Sequence, residues 1–353
     1  MTTARFTKAE IRAEAARLQQ PLLAAGAVPV EPDILQPAEV LLELYGEDIR
    51  ARAYVAGDPL RGDRMLRPDF TVPVVQAHLA SGGALGRYTY AGEVFRRQDD
   101  DPGRASEYIQ VGYEILGARD PEDAEAEVFE AIFRALEPLQ MRVAIGDLGL
   151  LIAAVRGLSA SERRKAAMLR HIWRPTRFRR LLERFAAPLT VRSSEFGAAP
   201  HIGLRSADEI HARLQVLANE ATQPPLPASE AERLEALLSV HAPAPQALAA
   251  LRSIAGGEAA LSAAVERLSA RLEAMQARGI DVDSLIFEAS YGRASMEYYD
   301  GFVFGFYAEG HDAAPPLATG GRYDALTRAL GADPVLPAVG GVIRPGVVLE
   351  ARQ

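Results

Sequence analysis

The chain has 353 residues, 48% hydrophobic and 24% charged, a formal net charge of -8 and no cysteine. That length exceeds the roughly 250 to 300 residues at which one core stops growing, so a large domain with a subdomain is expected, and the balanced composition argues against disorder. The lack of cysteine excludes disulfides and thiolate catalysis, the six histidines are scattered without metal-ligand spacing, and the acidic balance gives no global attraction to nucleic acid, so no metal, cofactor or nucleic-acid partner is expected.

No run approaches about 18 apolar residues, and the amino terminus is helical and charged without an apolar signal core, so no membrane role and a cytoplasmic location are expected. Thr7-Lys8-Ala9-Glu10 spells a capping box, and Ile11, Ala15 and Leu18 follow at helical spacing, which predicts a first amphipathic helix. The prolines of Val28-Pro29-Val30-Glu31-Pro32 end it and predict extended chain or a sheet edge. Leu35 to Leu44 reads as helix and Ala53 to Val55 as a short strand. In the segment Arg64 to Thr71, Pro68 ends a strand, and Thr71-Val72-Pro73 opens a helix through Leu79. Asp69 and Thr71 then stand at a strand-to-helix junction, where polar side chains meet free helix N–H groups. They serve equally well as plain helix caps.

From Arg87 to Gly117, two apolar and aromatic runs flank a loop holding Arg96, Arg97, Asp99, Asp100, Asp101 and Arg104, with Pro102-Gly103 as turn signal. This is a hairpin with a charged tip. Alternation along its second arm puts Tyr108, Gln110 and Gly112 on one face and Ile109, Val111 and Tyr113 on the other. An arginine leaving the first arm and the Gln110/Glu114 pair on the second could meet over a small polar ligand. The plain alternative is a hairpin whose charges are solvated.

Asp120-Pro121-Glu122-Asp123 starts a helix that runs to about Leu136, and Met141 to Ile145 reads as a strand. From Asp147 to about Gly279 the chain is rich in Ala, Leu, Arg and Glu, with helix starts at Ser159-x-x-Glu162 and Ser206-x-x-Glu209, which makes residues 151–279 a helical insertion. Within it Arg163, Arg164, Lys165, Arg170, Arg174, Arg177, Arg179, Arg180 and Arg184 form a basic stretch, either a solvated helical face or a contact for RNA or an acidic protein surface. Sheet character returns at Ser284 to Phe287. Phe302 to Tyr307 is a strand preceded by the polar-aromatic turn Glu297 to Gly301, Thr319 to Asp324 is a glycine-rich loop entering a helix, and Pro337 to Ile343 is a strand. Blocks 1–150 and 280–353 around the insertion predict an α+β architecture with a mostly antiparallel sheet flanked by helices. There is neither a G-x-G-x-x-G nor a P-loop motif.

Together these stretches resemble the core of histidyl-tRNA synthetase, a class II aminoacyl-tRNA synthetase. Leu66-Arg67-Pro68-Asp69-Phe70-Thr71 looks like its substrate strand, Phe95-Arg96-Arg97-Gln98 like the second class motif, and Gln110-Val111-Gly112-Tyr113-Glu114 like the strand after it. Glu297 to Phe304 and Gly320 to Asp324 resemble its two histidine-specific signatures. The resemblance covers roughly residues 5–150 and 280–350 and departs at three positions. Val347 stands where the third class motif carries its ATP-binding arginine; Ala294 takes the place of the arginine before the acid-Tyr-Tyr signature, with Arg293 one position away; and Gln98 replaces a glutamate. Each lost charged hydrogen bond is worth about 1.5 to 3 kcal/mol, enough in combination to abolish adenylation.

The chain stops at the third motif, where an anticodon-binding domain would follow. A synthetase core so reduced resembles the regulatory subunits of ATP phosphoribosyltransferase. That resemblance implies a non-catalytic partner of a short catalytic subunit in the first step of histidine biosynthesis, self-association as a dimer within a hetero-octamer, and histidine as feedback effector. By motif match Asp69, Thr71 and Gln110 would face the ammonium group of a histidine-like ligand, Arg96 its carboxylate or a phosphate, and Glu114, Tyr298, Tyr299 and Tyr323 the imidazole. Two alternatives stand beside this reading: a truncated, active histidine-activating synthetase, and an RNA-binding or scaffold protein using the basic insertion.

Overall fold

The computed structural model describes residues 6–39, 52–98, 105–188, 205–293, 298–310 and 314–353. Among these the order is α1 (Lys8–Ala24), β1 (Val28–Pro29), β2 (Leu35–Pro37), β3 (Val55–Asp58), β4 (Gly62–Leu66), α2 (Thr71–Ser81), β5 (Gly86–Phe95), β6 (Glu107–Leu116), α3 (Pro121–Leu136) and β7 (Met141–Asp147). There follow α4 (Leu148–Arg156), α5 (Glu162–Arg170), α6 (Pro175–Ala186), α7 (Ala207–Ala221), α8 (Ala228–Leu238), β8 (His241–Pro243), α9 (Ala244–Ala255) and α10 (Ala259–Ala277). The last block is β9 (Ile286–Glu288), β10 (Phe302–Ala308), β11 (Ala318–Arg322), α11 (Asp324–Ala329), β12 (Ala338–Ile343) and α12 (Pro345–Ala351).

Nine strands form one sheet in the order β1-β5-β6-β12-β11-β10-β7-β9-β8; a small sheet, β2-β4-β3, stands beside it. Only β1–β5 and β7–β9 pair in parallel among these, so the large sheet is mostly antiparallel, as expected. Alternation sorts its two faces. Ile109, Val111, Tyr113 and Ile115 of β6 and Phe302, Phe304 and Phe306 of β10 join the core under α1, α3 and α10. Phe129 of α3 meets the three phenylalanine rings at 6.4, 5.4 and 5.1 Å. The residues between them, Gln110, Gly112 and Glu114 on β6 and Val303 on β10, face the other side, where Phe70, Val74 and Tyr90 make a second core.

Local signals account for most helix starts. Thr7 and Glu10 make the reciprocal capping box of α1, Asp120 accepts from Asp123 N at the start of α3, and Ser206 and Glu209 make a second capping box on α7. Helix α10 lies against α3 and α4 and carries Arg271, which is 1% exposed. Its guanidinium pairs with Glu125 of α3 and, at 2.8 Å, with Asp147 at the end of β7, while Arg322 reaches the second Glu125 oxygen at 3.1 Å. The two carboxylates outweigh the burial that works against the charge of Arg271 and hold it protonated.

Three expectations are corrected. Leu35–Pro37 is a strand paired with β4, not the start of a helix: Pro37 disfavours the helical region for Gln36 before it. Ala38 and Glu39, next in that stretch, are helical as expected; 40–44 lie outside the described residues, as do Asp99 to Arg104 at the hairpin tip. Thr319–Arg322 belongs to a strand rather than a loop, because pairing with β10 on one side and β12 on the other overrides the low strand preference of two glycines. Helix α5 is capped by Ser161, which accepts from Arg164 N at 3.3 Å, not by Ser159, whose own N–H goes to Glu230. The basic stretch mostly faces solvent, but Arg164 is buried and bound to Pro224 O, Glu220 O and the Glu220 carboxylate.

Candidate functional site

A cleft of about 1250 Å³ opens on the sheet face away from α3, lined by β6, β10, β11 and β12, the start of α2 and residues 288–293 and 298–299. Glu114 lies at its base, 1% exposed. Three hydroxyls from three elements donate to it: Thr71 Oγ1 at 3.1 Å and Tyr90 OH at 2.9 Å to Oε1, and Tyr323 OH at 2.5 Å to Oε2. Burial pushes its carboxyl up to about 7; the three donors pull the other way and the charge of Asp69 adds to the rise.

Two glycines make room for this arrangement. Gly340 faces Glu114 across the β6–β12 ladder, and a Cβ there would lie 1.4 Å from Oε2. Gly112 faces Tyr90 across β5–β6, and a Cβ there would lie 2.0 Å from the Tyr90 ring. Tyr90 stacks on Phe70 with centroids 4.2 Å apart, and the Arg67 guanidinium lies 4.0 Å from the Phe70 ring centre. That stack fixes the junction before α2, where Asp69 Oδ1 accepts from Thr71 N at 3.1 Å.

The cleft brings together all eight residues expected to form a pocket: Asp69, Thr71, Arg96, Gln110, Glu114, Tyr298, Tyr299 and Tyr323 line it. The Tyr298 ring meets Tyr299 at 4.9 Å and Tyr323 at 6.0 Å, both edge-on. Gln110 is 1% exposed, and among the described residues its buried Oε1 has no hydrogen-bond partner. Arg96 donates Nε to Pro68 O at 2.7 Å, with Nη2 3.9 Å from Asp69 Oδ2. An acceptor-rich end with Asp69, Gln110 and Glu114, walled by tyrosines, can take a cationic or N–H-bearing group; arginines nearby can take an anion. Among the described residues no group of His, Cys, Asp and Glu could hold a metal, and no helix is long and apolar enough to cross a membrane.

The departures from the synthetase pattern have their own surroundings. Val347 sits on α12 in the cleft wall, and Gln98 lies at its edge with Nε2 3.5 Å from Ala105 O. Ala294 and Glu297 lie outside the described residues. Arg293 donates Nε to Ile172 O at 2.8 Å and lies 4.9 Å from the Phe178 ring centre, so it ties the cleft to α6 and the turn before it. Tyr90, Arg67 and Arg344 were not singled out by sequence. The alternation of β5 against β6 would have put Tyr90 on the face of Glu114 had their register been known.

The family model for histidyl-tRNA synthetase matches residues 7–345. The ATP phosphoribosyltransferase regulatory subunit of Mesorhizobium japonicum is 33% identical over 357 residues, covering 92% of this chain and 94% of that protein; that of Agrobacterium fabrum is 33% identical over 343 residues, covering 88% and 89%. Among solved structures, an ATP phosphoribosyltransferase regulatory subunit/histidyl-tRNA synthetase from Bacillus halodurans aligns with TM-score 0.72 at 21% identity over 98% of this chain and 79% of that one. A histidyl-tRNA synthetase from a Nostoc species aligns with TM-score 0.64 at 18% identity, covering 98% and 72%; both likenesses bear on the class II fold. With fold, motifs and full-length relatives in agreement, the chain belongs to the histidyl-tRNA synthetase-like family of ATP phosphoribosyltransferase regulatory subunits.

Proposed function

We propose that the chain works with a short catalytic ATP phosphoribosyltransferase subunit in the first step of histidine biosynthesis, does not itself adenylate histidine, and senses histidine in the cleft as feedback effector. The observation that carries the reading is the Glu114 cluster: a buried carboxyl held by Thr71, Tyr90 and Tyr323, in a cleft also lined by Gln110, whose Oε1 has no partner among the described residues. In this reading Asp69, Thr71 and Gln110 receive the ammonium group, Arg96 faces the carboxylate, and Glu114, Tyr298, Tyr299 and Tyr323 surround the imidazole. Residues 1–150 and 280–353 form the core that holds the pocket, and residues 151–279 are an insertion upon it. Val347 in the cleft wall supports the loss of adenylation, since an aliphatic side chain offers an ATP phosphate nothing.

Feedback requires two states that bind histidine differently, and a coupling of about 1 to 3 kcal/mol suffices. The test is reconstitution with a short catalytic subunit. Expected are activation on mixing, co-elution as a hetero-oligomer built on dimers of this chain, inhibition by histidine, and no histidine-dependent ATP–pyrophosphate exchange by the chain alone. Exchange at a synthetase's pace would establish the alternative, a histidine-activating enzyme.

A further inference from the structure

Arg344 follows β12 directly and lines the cleft. Its backbone N–H is tied to Leu317 O at 2.8 Å. Its side chain donates Nη1 to Pro316 O at 3.0 Å and Nη2 to Thr319 Oγ1 at 3.1 Å. Both acceptors are neutral, and a guanidinium has five N–H donors. Arg271 has Glu125 and Asp147, Arg322 has Glu125 and Asp324, and Arg164 has Glu220, whereas buried Arg67 and Arg293 are bound to backbone carbonyls and lie over the rings of Phe70 and Phe178. Among the described residues Arg344 likewise pairs with no carboxylate, and it lines the cleft.

Its surroundings favour an anion. Burial works against the charge of Arg344, and the nearby Arg96 works in the same direction, opposed by the tyrosines Tyr108, Tyr299 and Tyr291. Two guanidiniums that disfavour each other across a cleft are both relieved by an anion between them. Arg96 is already turned toward Pro68 O and Asp69, so the better-placed donor for an incoming oxyanion is Arg344. It also lies three residues before Val347: the cleft lacks a cation on α12 but has one at the end of β12.

We propose that Arg344 is an oxyanion-binding residue of this cleft, taking the carboxylate of the amino acid whose other end lies on Glu114. The assignment rests on the amino-acid reading of the pocket. Its chemistry, a guanidinium with spare donors, would serve a phosphate equally.

The experiment is calorimetry on the full chain, wild type, Arg344→Gln and Arg344→Lys, with three probes: histidine, histidinol, which has an alcohol in place of the carboxylate, and inorganic pyrophosphate. The wild type is expected to bind histidine about tenfold or more tightly than histidinol. Arg344→Gln should lose that preference while its histidinol affinity stays put, and Arg344→Lys should keep part of it. Circular dichroism checks that each variant folds, and the lysine variant carries the test if the glutamine one does not. Equal histidine affinity in wild type and variants overturns the assignment and leaves the amino-acid pocket standing. If the wild type binds no histidine, the pocket reading fails and pyrophosphate decides: binding that depends on Arg344 sustains an oxyanion site for phosphate, and absent or Arg344-independent binding overturns it.

Discussion

Replacing Glu114 with glutamine isolates the contribution of one buried carboxyl to the pH dependence of stability. In the folded chain this group titrates at about 7 against an ordinary 4.5, so the native state holds the proton more tightly than the unfolded chain does. The sign follows: the stabilisation is fully present below about pH 4.5 and is lost as pH rises through about 7. At 1.36 kcal/mol per pH unit the gap amounts to roughly 3 kcal/mol, of which about 2 to 3 falls between pH 5 and pH 8. Glutamine keeps a carbonyl acceptor in the same place and cannot ionise, and the hydroxyl opposite its NH₂ can turn to accept. Urea denaturation of both proteins at pH 5, 6, 7 and 8 gives two stability curves, and their difference cancels every other titrating group. The wild type should lose about 2 to 3 kcal/mol more than Glu114→Gln across that range. Parallel curves would refute the argument, since they would mean that Glu114 is ionised at the same pH folded and unfolded.

Arg271→Met leaves Glu125 and Asp147 buried without their main cation, and a loss of about 3 to 5 kcal/mol in urea unfolding is expected, partly recovered by Glu125→Gln in the same chain. Gly340→Ala puts a methyl group against the Glu114 carboxylate; a fall of about 1 to 3 kcal/mol in stability, with weakened histidine binding by calorimetry, is the expected result. Tyr323→Phe removes one of three donors that favour the ionised carboxylate. It should cost more at pH 8, about 1.5 to 3 kcal/mol, than at pH 5, where the carboxyl is protonated.

The parts of the fold written in local chemistry were legible. Thr7, Asp120 and Ser206 announce helices because a cap bonds within four residues of itself, and the face of β6 that carries Gln110 and Glu114 follows from alternation alone. The eight pocket residues came from the likeness to a synthetase core, since they lie on five separate stretches that no local pattern brings together. What remained hidden depends on pairing at a distance. Leu35–Pro37 becomes a strand because β4 pairs with it, and Thr319–Arg322 because partners wait on either side. Tyr90 reaches Glu114 only because Gly112 faces it in the ladder, and that register is not readable from two arms joined by a long loop. Arg271 looked like one more polar residue on an alanine-rich helix, yet it binds carboxylates 146 and 124 positions away.

The hydrogen bonds between the helical segment and the cleft have an optical consequence. The chain contains a single tryptophan, and it is Trp173, between α5 and α6, whose indole N–H donates to the carbonyl of Tyr299 at 3.1 Å. Indole emission responds to its hydrogen bond and to the polarity around it, so any shift of the backbone carrying Tyr298 and Tyr299 changes the fluorescence of the whole protein. The molecule thus comes with a built-in, label-free reporter on the wall of its own cleft, free of the background that other tryptophans would add.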